Sequence, residues 1–221
     1  MCLNSEVSFI IFSIGTLLNL TSFLHLRNVK SYIHNMIIYW QFVLFMQVVE
    51  GFAWVRIEDD KDIKILSTFA MVSNALQPFV LLLVVRYGLK EKIKYAGVAN
   101  FMYFLLLFSD RIWIFTDIRP ENGCAHLSLR YWTTARSASY ILASLITFWE
   151  IPRLFWSLIN MGIFLSVFLM PVLFTSCGVG YSFRWIICAS GPIIVVAYNV
   201  ERLCIAIQNT RMIISYILNK A

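Results

Sequence analysis

Residues 31–55, SYIHNMIIYWQFVLFMQVVEGFAWV, are almost wholly apolar, with Glu50 as the one acidic side chain among them. A stretch of about 18 or more apolar residues is long enough to cross the hydrocarbon core of a bilayer as an α-helix. Runs without Asp, Glu, Lys or Arg recur at residues 7–26, 65–85 and 154–183. The chain is therefore predicted to be an all-α, polytopic transmembrane helix bundle.

The composition supports this class of protein. The 221 residues are 60% hydrophobic and 14% charged, whereas a soluble domain carries about 25% charged residues. The net charge of +6 is typical of basic residues that flank membrane spans. No Arg-rich helix or aromatic RNA-binding pattern accompanies it. The expected partner is the lipid bilayer and not nucleic acid.

Seven helices are predicted within a single integral membrane domain that covers residues 1–221. The fifth is the weakest, because its charge-free part, residues 137–149, is too short to span a bilayer. Either Arg136 or Arg130 then lies near the outer end and reaches the interface, or the segment is re-entrant and the bundle has six spans. The predicted helices cover residues 7–26, 31–55, 65–85, 95–115, 131–149, 154–174 and 185–206.

The orientation follows from Lys and Arg in the short loops. The first and third loops together hold six basic residues, whereas the second holds three basic and four acidic ones. Basic loops favour the cytoplasmic side. The N terminus is therefore expected outside or in a lumen, and the C terminus in the cytoplasm. Arg119, Arg130 and Arg136 in the fourth loop argue against this orientation.

Polar side chains inside the second and third predicted helices are the candidate ligand site. Gln47, Glu50 and Trp54 have the spacing i, i+3, i+7 and share one helix face. Asn74 and Gln77 are spaced i, i+3 in the next helix. Taking Arg56 and Lys64 as the outer ends, Gln47 and Asn74 both lie about 15 Å deep, a match that allows a hydrogen bond between them. Such residues usually face the bundle interior and mark solute or ion sites.

Asp110 and Arg111, near the outer end of the fourth predicted helix, complete the candidate cluster. An unpaired charge inside a membrane is costly, whereas a hydrogen-bonded pair is tolerated. We hypothesise that Arg111 neutralises Glu50 across the bundle.

The five cysteines and three histidines are scattered and show no metal-ligand spacing. No metal site is predicted, and no cofactor is expected. Cys124 and Cys177 fall on the same predicted side of the membrane and can form a disulfide if that side is oxidising.

Three functions remain open at this point. The first is binding or transport of a small polar solute or ion between predicted helices 2, 3 and 4. The second is a structural or adaptor protein whose polar residues only hold helices together. The third, an intramembrane lipid-modifying enzyme, is not favoured because no nucleophile–base set occurs.

Three short motifs follow one another in the first 85 residues: the opening MCLNSEVSF with Gly15 and Asn19, then Trp40, Gln41, Gln47, Glu50 and Trp54, then Asn74, Leu76, Gln77 and Pro78. They resemble the motifs of an uncharacterised membrane-protein family found in large DNA viruses, bacteria and some protists. The resemblance covers residues 1–85 and implies no activity. It marks the polar residues of predicted helices 2 and 3 as family-defining.

Overall fold

The computed structural model describes residues 5–27, 31–56, 59–89, 94–109, 118–121, 124–129, 134–151, 154–168, 186 and 189–218. These residues form a helix bundle with one β-hairpin, and the predicted helical fold is confirmed. The helices are α1 (Ser5–His25), α2 (Ser31–Leu44), α3 (Met46–Val55), α4 (Asp60–Leu89), α5 (Tyr95–Ser109), α6 (Thr134–Trp149), α7 (Leu154–Phe168) and α8 (Ser190–Leu218).

Four stretches of the described chain are long and apolar enough to cross a membrane. They are Ser5–His25, Ile33–Val55, Lys61–Tyr87 and Ser190–Met212. Shorter apolar helices cover Tyr95–Leu107 and Leu154–Ser166.

The predicted helix 31–55 is one span made of two helical segments. Phe45, between α2 and α3, keeps helical dihedral angles of φ −57° and ψ −25°. The Val48 N–H donates to the Phe45 carbonyl at 3.0 Å, so one turn is tightened from an i→i−4 to an i→i−3 bond. The long apolar run therefore continues through the interruption.

The third and seventh predicted helices are longer than expected. Helix α4 begins at Asp60 because Asp59 caps it, with Oδ1 accepting from the backbone N–H groups of Lys61 at 3.0 Å and Asp62 at 3.3 Å. Helix α8 continues to Leu218 instead of ending at 206. Residues 110–115, 131–133, 169–174, 185, 187 and 188 of the predicted helices lie outside the described chain.

A two-stranded antiparallel hairpin follows α5 and was not predicted. Strands β1 (Ile118–Glu121) and β2 (Cys124–Leu129) pair Ile118 with Leu129 and Glu121 with Cys124. The sequence between the strands is Asn-Gly, the strongest short-range hairpin signal. The pair indicates a turn, and the structure adds the paired strands on either side of it.

Helices α5 and α6 run antiparallel, as three contacts show. Glu150, next to the end of α6, meets the start of α5: Oε1 accepts from the Tyr95 N–H at 2.6 Å and Oε2 from the Ala96 N–H at 3.2 Å. Asn100 Nδ2 donates to Thr147 Oγ1 at 3.1 Å further along. Glu150 therefore satisfies two of the free N–H groups of α5 and places a carboxylate at its positive end.

We expect Glu150→Ala to destabilise the protein by about 1–2 kcal/mol, because it removes a cap and its charge–dipole interaction. Thermal unfolding in detergent, followed by circular dichroism, measures the loss, and Glu150→Gln should recover part of it. Hydrogen exchange at the Tyr95 and Ala96 amides should speed up in the alanine variant. Gln208→Ala, at an exposed position inside α8 and away from any helix end, is the control, and an equal effect there would contradict the capping role.

A buried amide joins α1, α2 and α8. Asn19 Oδ1 accepts from the Gly191 N–H at 3.0 Å and from Ser190 Oγ at 3.3 Å, while its Nδ2 donates to Gln41 Oε1 at 3.0 Å. Gln41 Nε2 in turn donates to Thr16 Oγ1 at 2.9 Å. One side chain of α1 thus caps the N terminus of α8 and fixes α2 beside both.

Trp40 lies at the centre of the main core. Its ring stacks on Phe148 with centroids 6.2 Å apart and meets Tyr39 edge-on at 5.1 Å. Its Nε1 donates to Asn160 Oδ1 of α7 at 2.9 Å. Trp40 therefore links α2 to α6 by ring packing and to α7 by a hydrogen bond.

Candidate functional site

The predicted stripe of α3 faces the protein interior. Gln47 is buried, with 5% of its surface exposed, and Glu50 and Trp54 are half-buried. Phe52 and Val55 on the other side of the helix are exposed. The spacing of the polar residues therefore identified the inward face of this segment.

Gly51, next to Glu50, brings α1 close to this stripe. A Cβ at residue 51 would lie 2.9 Å from Cε1 and Cζ of Phe9. The Phe9 ring also meets Phe52 edge-on, with centroids 5.3 Å apart. A small residue thus lets an aromatic ring of α1 pack directly on the backbone of α3.

Two polar atoms of α3 have no hydrogen-bond partner among the described residues. They are the amide oxygen of Gln47, an acceptor, and the indole N–H of Trp54, a donor, and both are buried. The two residues are seven apart, about 10 Å along the helix. An unsatisfied buried polar group costs about 1–3 kcal/mol, so α3 presents an acceptor and a donor whose hydrogen-bonding capacity is unused.

The predicted residues of α4 are connected to α6. Gln77 Nε2 donates to Asn74 Oδ1 at 3.1 Å, and the Tyr140 hydroxyl donates to Gln77 Oε1. The hydrogen bond expected between Gln47 and Asn74 is not formed: Gln47 Oε1 has no partner among the described residues, and Asn74 Oδ1 accepts from Gln77 of its own helix. Helix α4 continues through Pro78 without ending.

Other predicted residues fall outside the described chain. Asp110 and Arg111 lie there, so the Glu50–Arg111 pair stays a prediction. Cys177 lies there too, and Cys124 is described only as part of the β2 backbone, so their disulfide also stays a prediction. Within the described ranges, no group of three or more His, Cys, Asp or Glu could hold a metal ion.

Helix α6 carries inward-facing polar residues that were not predicted from the sequence. Tyr140, Ser144 and Thr147 are buried, whereas Leu142 and Trp149 are exposed. Arg136, one of the two arginines of which either was expected to reach the interface, is also buried. The helix therefore turns polar residues inward and apolar ones outward, as suits a helix in lipid. The i, i+4, i+8, i+11 spacing from Arg136 was the signal that could have revealed this face.

Charged residues just after the end of α3 and near the start of α4 contact each other. Arg56 Nε lies 3.5 Å from Asp62 Oδ2, and both side chains are exposed. A shallow, mainly apolar depression of about 460 Å³ lies further along α4, lined by Lys64, Ile65, Thr68, Phe69 and Val72. None of the candidate site residues lines it, and its exposed apolar side chains suit contact with lipid.

These features define the class of the protein as a helical membrane protein with buried amide and hydroxyl groups between its helices. Comparison with protein-family models, with curated proteins and with solved structures found no match to this chain.

Proposed function

We propose that this is a multi-pass membrane protein that binds a small, uncharged polar solute between α3, α4 and α6 and lets it cross the bilayer. The observation that carries the proposal is the unpartnered amide oxygen of Gln47, in a side chain only 5% exposed. A solute that donates a hydrogen bond there offsets the cost of burying that oxygen.

The chemistry of the neighbouring groups supports an uncharged solute over an ion. Gln47, Asn74 and Gln77 are amides, Trp54 is an indole donor and Tyr140 is a hydroxyl. Among the described carboxylates, Glu50 lies on the same face of α3 but already has a partner within the protein, Glu150 caps α5, and Glu201 accepts from Trp156 Nε1 at 3.0 Å. Mixed neutral donors and acceptors match a molecule such as urea or glycerol, which both donates and accepts hydrogen bonds.

The orientation and the family relation belong to the same proposal. The basic first and third loops support a cytoplasmic C terminus. The motifs around Gln47, Glu50 and Asn74 support kinship with the uncharacterised membrane-protein family described above.

Osmotic swelling of proteoliposomes that contain the full chain tests the function, with urea and glycerol as probes and stopped-flow light scattering as the readout. We expect faster swelling than in protein-free vesicles. Gln47→Leu should slow the protein-dependent part about tenfold, because one lost hydrogen bond is worth roughly 1.4 kcal/mol. Val55→Leu, on the exposed side of α3, is the matched control.

Protein-dependent swelling that is absent for both probes, or equal in wild type and Gln47→Leu, would contradict the proposal. Thermal unfolding of the same two variants provides an internal check on folding. Without solute, Gln47→Leu should raise the thermal midpoint, since it removes a buried unpaired oxygen.

A structural role is the second candidate, and the hydrogen bonds between helices favour it. Asn19 joins α1, α2 and α8, and Trp40 joins α2 to Asn160 of α7. Such bonds hold helices together in a membrane without requiring a solute. This role predicts no swelling with either probe and a higher thermal midpoint for Gln47→Leu.

A further inference from the structure

Three further buried polar atoms belong to α2, α5 and α6 and are not part of the α3 stripe. The Tyr39 hydroxyl, the Asn100 amide oxygen and the Ser144 hydroxyl have no hydrogen-bond partner among the described residues. Each of these side chains is at most 1% exposed. Native proteins leave few such atoms unpaired, so three on neighbouring helices require an explanation.

The three side chains approach the same stretch of α6. Asn100 Nδ2 lies 3.1 Å from Thr147 Oγ1, three residues after Ser144. The Tyr39 ring packs edge-on against Phe148, four residues after Ser144, with centroids 5.9 Å apart. Residues three and four apart are neighbours on one helix face, so α2 and α5 both meet α6 within about one turn of Ser144.

The direction of the Asn100 amide is set by its other bonds. Its Nδ2 donates to the Ala96 carbonyl at 2.9 Å and to Thr147 Oγ1 at 3.1 Å. The Thr147 hydroxyl uses its single proton on the Ala143 carbonyl, 2.7 Å away, so toward Asn100 it can only accept. Rotating the amide by half a turn would place two acceptors against each other. The oxygen of Asn100 is therefore held as an unused acceptor.

We propose that these three atoms form a buried water site that links α2, α5 and α6. Water suits the set because Asn100 Oδ1 only accepts, whereas the two hydroxyls both donate and accept. A buried water typically makes two to four hydrogen bonds to polar groups that would otherwise be unsatisfied. All three groups are neutral, so an uncharged molecule can bind there without the cost of burying a charge. This site shares no residue with the proposed solute site and does not depend on it.

Removing one hydroxyl at a time tests the site, because the thermal midpoint should fall if water binds there and rise if it does not. If water binds there, Tyr39→Phe and Ser144→Ala each leave it short of a partner, and the thermal midpoint should fall by roughly 2–4 °C. If no water binds to these atoms, each variant removes an unpaired buried group and the thermal midpoint should rise.

Tyr87→Phe and Ser13→Ala are the controls. They remove the same kinds of hydroxyl group at exposed positions and should change the thermal midpoint little.

The double variant and a direct probe complete the experiment. With a shared water, Tyr39→Phe combined with Ser144→Ala should lower the midpoint by less than the two single shifts added together. In bilayers, solid-state NMR should show rapid magnetisation transfer from water to the Asn100 side-chain amide, and Asn100→Leu should remove that signal. A rise in either single variant, strictly additive shifts, or no transfer from water to Asn100 would each overturn the proposal.

Discussion

Trp40→Ala is expected to lower the free energy of unfolding by about 4 kcal/mol, the range seen for large aromatic side chains removed from a core. Trp40 is completely buried, stacks on Phe148 and donates to Asn160. Lipid chains are as apolar as the core, so the loss arises from packing and hydrogen bonding more than from transfer out of water.

The two contributions at Trp40 can be separated. Trp40→Phe keeps most of the ring packing but leaves Asn160 Oδ1 without its donor. The Asn160 amide cannot rotate to compensate, because its Nδ2 already donates to the Trp156 carbonyl at 2.9 Å. This variant should lose about 1–2 kcal/mol. Unfolding of the purified protein in mixed micelles, monitored by circular dichroism, gives both values.

Trp149→Ala is the matched control for Trp40. Trp149 is the same residue type, but it is 63% exposed on α6, so its replacement should cost well under half as much. Equal losses for Trp40→Ala and Trp149→Ala would contradict the placement of Trp40 at the centre of the core.

Gly191→Ala should destabilise the protein by about 2–4 kcal/mol, since it forces apart a tight contact and breaks a buried hydrogen bond. A Cβ at this position would lie 2.6 Å from Asn19 Oδ1, 2.9 Å from Ser22 Oγ and 3.0 Å from Asn19 Cα. The last of these is backbone, so a change of side-chain rotamer cannot relieve the clash. Helix α8 must move away from α1, and the Asn19 cap on the Gly191 N–H is lost with it.

The opposite result is expected for a glycine in open surroundings. Gly162, in α7, has nothing within 4 Å of an added Cβ, and alanine is favoured over glycine inside a helix by about 1 kcal/mol. Gly162→Ala should therefore be neutral or stabilising in the same unfolding measurement.

A double variant tests whether Gly191 and Asn19 act through one contact. Asn19→Ala removes the cap on the Gly191 N–H, so combining it with Gly191→Ala should cost less than the two single losses added together. Additive losses would show that the two residues do not act through one contact.

The candidate site was only partly predictable from the sequence. The spacing of Gln47, Glu50 and Trp54 identified the inward side of α3, because helix periodicity is a property of the chain alone. The hydrogen-bond partners were not predictable. Gln77 accepts from Tyr140 of α6, and Asn74 accepts from Gln77, whereas the expected partner of Asn74 is Gln47. Depth along a helix restricts which residues can meet, but the rotation of neighbouring helices decides which of them do.

Helix α6 shows why the fifth segment was the weakest prediction. Arg136 and the polar residues after it lowered its hydropathy and made a span doubtful, whereas the structure turns these residues toward the bundle interior. Hydropathy sums over all faces of a helix, so it cannot distinguish a polar face turned to protein from one turned to lipid.

The sequence by itself determined that the chain is helical, apolar enough for a membrane and polar on one face of residues 31–55. Those properties are local, because the bilayer demands long apolar runs whose backbone hydrogen bonds are satisfied within each helix. Only the tertiary structure decided that Asn19 caps α8, that Trp40 binds Asn160 and that α2 and α5 both meet α6 near Ser144. These contacts join residues distant in the chain, and they depend on how the helices pack against one another.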